Sequence, residues 1–168
     1  MEKKFILTDK FVINSFGIKL FQIKCTKSFK YAQKGDFGGY VEKEGNLDQE
    51  NDAWVFGNAR VFGNARVSGN ARVSGDAWVS GNAWVSGNAD IENDNEHCGF
   101  DGFGSCNRHT HAYMTKEKKV EIICGCFRGS IEEFEKKVEE THSGTVYEKQ
   151  YKSIINVIKI KFGLTDFT

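Results

Sequence analysis

Residues 53–91 read Ala53-Trp54-Val55-Phe56-Gly57-Asn58, then ARVFGN, ARVSGN, ARVSGD, AWVSGN and AWVSGN in turn, and end on Ala89-Asp90-Ile91. The period is six. Alanine recurs at Ala53, Ala59, Ala65, Ala71, Ala77, Ala83 and Ala89, and two residues later stand Val55, Val61, Val67, Val73, Val79, Val85 and Ile91. Leu47 extends the alanine column backwards. The Gly-Asn and Gly-Asp pairs between hexads are turn chemistry, since both residue types tolerate positive φ. Each hexad therefore reads as a four-residue strand, such as Ala71-Arg72-Val73-Ser74, followed by a two-residue corner. Along such a strand Ala and Val point one way and Arg or Trp the other. Four-residue hairpins in series share no common core. Three hexads per turn instead make an 18-residue coil, which stacks Val55 over Val73 over Ile91, Val61 over Val79, and Val67 over Val85.

An aliphatic residue followed four positions later by a small one resembles the hexapeptide-repeat family. That resemblance implies a left-handed parallel β-helix over residues 45–92, about 2.7 coils, and the trimeric assembly usual for the fold. The first hexad departs from the pattern, with Gln49 at the aliphatic position and Asn51 in place of Gly, so regular packing is expected from near Asp52. The fold class is then mainly β: an N-terminal β-hairpin cap (1–44), the coil (45–94) and a C-terminal ββαα cap (95–168).

The outward residues also stack at 18. Trp54 lies under Arg72 and Asp90, Arg60 under Trp78, and Arg66 under Trp84, a setting for cation-π contacts of roughly 0.5–1 kcal/mol each. Trp54, Phe56 and Phe62 are expected to form an exposed aromatic patch. With Trp78 and Trp84 they are the candidate interface, for a homo-oligomer or a partner.

The 168 residues hold 23 Lys plus Arg and 23 Asp plus Glu, but unevenly. Residues 1–44 carry nine Lys and five acids, residues 45–94 three Arg and seven acids, and the last segment balances. There is no proline where average usage predicts about eight, and there are 18 glycines. The start lacks the apolar core of a signal peptide and no run is long enough to span a bilayer, so the expectation is a cytoplasmic protein. Five cysteines in a reducing compartment then point to free thiols or a metal site before disulfides.

In the first flank, Asn14-Ser15-Phe16-Gly17 reads as a hairpin turn, and Lys34 to Val41 as a corner entering the coil. The last flank reads as a glycine-rich loop at Gly99–Gly104, strands at His109–Thr115 and Val120–Phe127, a helix begun by a Ser130/Glu133 capping box and stopped near Gly144, and a second helix carrying Tyr147, Tyr151, Ile154, Ile155, Ile158 and Phe162. The Lys34-Gly35-Asp36-Phe37-Gly38-Gly39-Tyr40-Val41-Glu42-Lys43-Glu44 block, the Gly-Asn-Ala tract and Cys124-Gly125-Cys126-Phe127 through Thr141-His142 together resemble a group of phage and prophage hexapeptide-repeat proteins. The resemblance implies a phage accessory origin and no particular activity. Members carry Gly-Ser-Arg-Asn before the last strands; here Cys106 replaces the Arg and Arg108 follows Asn107.

Three kinds of chemistry are open. Acyl transfer, as in hexapeptide-repeat acyltransferases, needs a catalytic His near the coil; the coil has none, and His109 or His111 would have to serve. A zinc site would draw on Cys98, Cys106, Cys124 and Cys126, although Cys124 and Cys126 on one strand face also read as packing thiols. An anion or nucleotide pocket would use Ser105, Asn107, Arg108, His109 and His111. The expected function is a non-enzymatic counter-defence protein, of anti-CRISPR or other anti-immune type, that needs no cofactor. It would act in the host cytoplasm by binding a host defence protein or nucleoprotein complex, or by sequestering a small nucleotide. An acyltransferase and a structural phage component are the alternatives.

Overall fold

In the computed structural model, which describes residues 2–165, the chain opens with an antiparallel hairpin of β1 (Phe5–Ile13) and β2 (Lys19–Cys25). Asn14 fixes the turn: its Oδ1 accepts from the Phe16 and Ile18 amides at 3.0 and 2.9 Å. After β3 (Phe37–Val41) come seven two-residue strands, β4 (Trp54–Val55), β5 (Arg60–Val61), β6 (Arg66–Val67), β7 (Arg72–Val73), β8 (Trp78–Val79), β9 (Trp84–Val85) and β10 (Asp90–Ile91). The strands are shorter than the alternation predicts because each corner takes up the hexad's flanking residues. Ala59 N–H bonds Phe56 O at 3.1 Å around Gly57 at φ +55°, and the same closure recurs at Ala71 and Ser68. The chain divides into two compact units at the Asp94/Asn95 boundary.

The first unit is built from parallel ladders. Val73 pairs with both Val55 and Ile91, Val61 with Val79, and Val67 with Val85, the 18-residue stacking expected from the repeat. These side chains and the seven alanines are buried, forming the unit's dry interior. The β5–β8 ladder continues through β3 and β2 to β1 in one five-stranded sheet. Residues 37–41 are therefore a strand of the coil's own sheet and not a corner. Tyr40 pairs with Arg60 and Val41 with Val61.

That pairing spans 20 residues, as does the Leu47–Val67 bridge, so the first coil holds two extra residues. Leu47 consequently sits in the valine column, which corrects its assignment to the alanine column. The extra length falls within Asp48–Asp52 and carries Gln49 to β1, where Oε1 accepts from the Lys4 and Phe5 amides at 2.8 and 3.2 Å and Nε2 donates to Phe5 O at 3.1 Å. Gln49 in the aliphatic place is thus a tie to β1. Asn46, fully buried, donates to Gly63 O and Ala65 O at 3.2 and 2.8 Å.

The expected exposed aromatic patch is covered. Trp54 is 1% exposed, enclosed edge-on by Phe5 and Phe29 with ring centres at 6.3 and 5.3 Å. Phe62 packs on Phe16 and Trp78 and is buried, and Phe56 meets Tyr31 and the Arg72 guanidinium. Residues 5–32 supply the covering rings, so these outward residues are a second core within one chain. Arg60 does stack on Trp78, at 4.8 Å, whereas Arg72 turns to Phe56 and Tyr31 and not to Trp54. Trp84 remains 48% exposed.

Lys4 is buried beside this cluster, its Nζ donating to Asn51 O at 2.6 Å and Ala53 O at 2.9 Å. Burial drives its pKa down to about 8, against a partial offset from Asp48 and Asp52. The folded chain releases this proton before the unfolded chain does, so stability should rise with pH between about 8 and 10.5. The depression is worth about 3 kcal/mol. Burial raises the Cys25 thiol above its ordinary 9.0, which opposes the trend above that pH, so the rise is cleanest between pH 8 and 9. All three tryptophans lie in the first unit, and their fluorescence reads its unfolding alone. The denaturation midpoint should climb over this window in the wild type and flatten in Lys4→Met; a flat wild-type profile would refute the assignment.

In the second unit β11 (His97–Phe103), β12 (Arg108–Met114), β13 (Val120–Cys124) and β14 (Phe127–Ser130) form an antiparallel sheet in sequence order, followed by α1 (Ile131–His142) and α2 (Val146–Lys161). Two expectations are corrected. Gly99–Gly104 is mostly strand, and Val120–Phe127 is not one strand, because Gly125 at φ +61° reverses the chain between β13 and β14. The unit is ββββαα. Ser130 caps α1, accepting from the Glu133 amide while Glu133 accepts from Ser130 N–H, as the capping box predicts. Ala112, Ile122, Phe134, Val138, Ile154, Ile155 and Ile158 form the core between sheet and helices.

Candidate functional site

Alternation along β12 separates residues that the sequence groups together. Thr110 and Ala112 face the helices, and Ala112 belongs to the core beneath them; His109, His111 and Tyr113 take the opposite face, where their rings follow one another at 5.7 Å. The five-residue donor cluster therefore does not form as expected. His111 is buried at 1% exposure, with Nε2 at 3.1 Å from His97 Nδ1. His109 Nδ1 lies 2.8 Å from Asp101 Oδ1, and its ring covers Gly99, where a Cβ would stand 2.6 Å from Cε1 and 2.9 Å from Nε2. Asn107 adopts φ +48° in the turn joining β11 to β12.

Ser105 and Arg108 stay on the helix side and line a cavity of about 270 Å³. Its walls come from every part of the second unit's helical face: Cys124 of β13, Cys126 of the following turn, Phe127 of β14, Phe134, Lys137 and Val138 of α1, and Tyr151 of α2. The aromatic rings are mutually locked. Phe127 and Phe134 have centres 5.0 Å apart, Phe134 meets Tyr151 edge-on at 5.6 Å, and His142 stacks on Tyr151 at 5.5 Å and 29°. Behind them Thr110 Oγ1 donates to Cys124 Sγ at 3.3 Å, and Cys124 donates to Tyr151 Oη at 3.7 Å. Burial, and then the Cys124 bond, push the Tyr151 phenol well above its usual range, so it stays protonated.

Gly104 holds the loop in place. Its φ is +73°, its N–H donates to Gln150 Oε1 at 3.0 Å, and an added Cβ would overlap the Tyr151 hydroxyl. The loop backbone therefore rests directly on α2, which presents Cys106 and Arg108 at the cavity. Arg108 is raised above its ordinary value by the neighbouring Cys106 and Cys126 sulfurs.

The proposed zinc quartet does not come together. Cys98 pairs with Ala112 and packs on the core, Cys124 is buried, and Cys126 stands exposed in the Gly125 turn instead of sharing Cys124's strand face. Among the described residues no three His, Cys, Asp or Glu side chains are placed to hold a metal ion. Lys137, Thr141, His142 and Tyr151 complete the cavity wall and are absent from the sequence-derived anion site. Their only signal was position: Lys137 and Thr141 share one face of α1 four residues apart, beside its apolar stripe.

Two overlapping stretches, residues 53–69 and 65–81, match the YdcK beta solenoid repeat family. No curated protein matches the chain. No helix among the described residues is long and apolar enough to cross a membrane. With parallel ladders at an 18-residue spacing and this match across nearly five hexads, the described residues form a mainly β structure with two α-helices, and the chain is a β-solenoid repeat protein.

Proposed function

We propose that the chain is a non-enzymatic binding protein whose second-unit cavity takes a small anionic ligand with a flat ring, the chemistry of a nucleotide. The observation that carries this reading is the cavity's composition, Phe127, Phe134 and Tyr151 beside Arg108 and Lys137. Aromatic stacking of a base contributes roughly 1–3 kcal/mol, and a guanidinium can bind phosphate with two parallel hydrogen bonds. About 270 Å³ is near the lower limit of roughly 300 Å³ for ligand sites, which favours a mononucleotide over a larger cofactor.

The resemblance to phage and prophage proteins extends the proposal. The chain serves a phage in the host cytoplasm by sequestering a nucleotide signal of the host's defence, as a homotrimer of left-handed hexapeptide coils. The exposed Trp84 beside Arg66 is the surface that supports assembly. Masking a host nuclease complex, through the Lys-rich first flank or the aromatic surface, has less support, because Trp54, Phe56 and Phe62 are covered by rings of residues 5–32. Acyl transfer also has less support: the His109 ring lies on Gly99 and His111 is buried.

Calorimetric titration with nucleoside mono- and diphosphates and cyclic nucleotides tests the reading. At least one should bind, and Arg108→Ala should weaken it about tenfold or more, since a hydrogen bond to a charged group is worth about 1.5–3 kcal/mol, with thermal unfolding preserved. Absence of binding across the panel, turnover of an acyl donor, or incorporation into virions without effect on any host defence would each overturn it.

A further inference from the structure

Two exposed thiols, Cys106 and Cys126, line the same cavity from separate turns. The β12–β13 register ends on the Thr110/Cys124 pair, so Arg108 and the Gly125-Cys126 turn both lie just beyond that pair, at the same end of the sheet. The β11–β12 register pairs Phe103 with Arg108, which leaves Gly104–Asn107 as the turn and puts Cys106 two residues before Arg108 at the same end of the sheet. Both cysteines are exposed, both line the cavity, and both sulfurs interact with the Arg108 guanidinium. That guanidinium lies over Gly125, where an added Cβ would overlap it. Of the other three thiols, Cys25 lies in the first unit, Cys98 packs against the core, and Cys124, in the wall of the same cavity, is buried and held between Thr110 and Tyr151.

We propose that Cys106 and Cys126 form a reversible disulfide linking the two hairpin turns, so that the cavity opens and closes with thiol oxidation. A disulfide needs Cα atoms roughly 4.4–6.8 Å apart, about the spacing of neighbouring antiparallel strands, and the two turns adjoin the neighbouring strands β12 and β13 at one end of the sheet. Both turns contain a glycine at positive φ, Gly104 and Gly125, and both leave their cysteine exposed, whereas Cys124 is buried.

The oxidant is a low-molecular-weight disulfide. One protein thiolate attacks it, forms a mixed disulfide and expels a small thiolate that takes up a proton. The second protein thiolate attacks the protein sulfur of that mixed disulfide and expels the other small thiolate. Two protein thiols are oxidised, and one disulfide is reduced to two thiols. The new bond withdraws both sulfurs from Arg108 and straps the mouth. The disulfide stands on the thiol geometry alone; its effect on binding rests on the nucleotide reading above.

The full chain equilibrated in glutathione buffers of graded potential, quenched by alkylation and mapped by mass spectrometry, tests the bond. Oxidation should remove two of the five free thiols per chain, yield a Cys106–Cys126 linkage within one chain, and leave Cys25, Cys98 and Cys124 alkylated. Cys106→Ser and Cys126→Ser should each abolish it. Separate glutathione adducts on the two cysteines, a linkage between chains, or pairing with another cysteine would overturn the proposal. Titration of oxidised and reduced protein with ADP then reads the gate, with affinity expected to fall at least tenfold on oxidation. Equal affinity in both states overturns the gating. If neither ADP nor any other nucleotide of the panel above binds either state while the disulfide forms, the nucleotide reading and its gate fall and the redox pair stands.

Discussion

Val73→Asp should give a chain whose first unit shows no cooperative unfolding transition. Val73 is fully buried between Val55 and Ile91, the middle rung of a three-strand ladder, and nothing polar in the coil interior could pair a carboxylate there. An unpaired buried charge costs at least several kcal/mol, and a domain's whole stability is about 5–15 kcal/mol. Val73→Ala is the graded companion: it removes two methyl groups, should cost about 2 kcal/mol and should remain folded. Tryptophan emission against denaturant separates them. A soluble Val73→Asp with the wild-type midpoint would mean that the valine column does not face the interior.

The next largest effect is expected at Gly39. A Cβ there would stand 2.7 Å from Ala59 O and 2.7 Å from Val55 Cγ1, and Ala59 O is the acceptor of the Tyr40 amide that joins β3 to the coil. The adjacent Gly38 is equally confined, with Val55 O at 2.6 Å. This is a demand for close approach of two backbones and not for an unusual φ. Gly39→Val should exceed the roughly 1–3 kcal/mol of ordinary overpacking, because the obstacle is main chain that cannot rotate away. It should also loosen the covering hairpin, so that Trp54 becomes solvated and its emission moves to the red before the unit unfolds. Gly45→Ala, with nothing within 4 Å of its new Cβ, is the control and should stay within about 0.5 kcal/mol. An unchanged Gly39→Val would show that β3 does not dock on the coil.

The valine stacking was legible because it depends on one integer, 18, set by local corner chemistry repeated without error. Leu47 was misplaced for the same reason: two added residues shift the phase, and no local signal distinguishes an inserted Gln49 from a degraded repeat. Alternation said which way Trp54 and Phe62 point but not what lies over them, since burial of an outward ring depends on a distant segment's path. In the second unit the capping box and helix stripe are local, and both appear as read. The cavity depended on Thr110 facing Cys124, and hence on a chain reversal at Gly125 inside what looked like one strand. The division of Arg108 from His109 and His111 was within reach of the sequence, because neighbours on a strand take opposite faces; the density of donors in the segment obscured it.

The first coil's two extra residues bear on more than register. At that end of the stack β3 covers the β5 ladder, Leu47 and the Asn46 carboxamide cover the β6 ladder, and the Lys4 ammonium takes the Asn51 and Ala53 carbonyls at the entrance to β4. Each ladder thus meets a group of the same chain where another copy's coil would have to add. Parallel stacks of short identical strands are the geometry of fibrils, and they lengthen wherever such an edge is offered. Here a lysine, an asparagine and a hairpin act as chain terminators: however strongly the repeats favour stacking, filament growth from this end would first require the protein to unfold its own beginning.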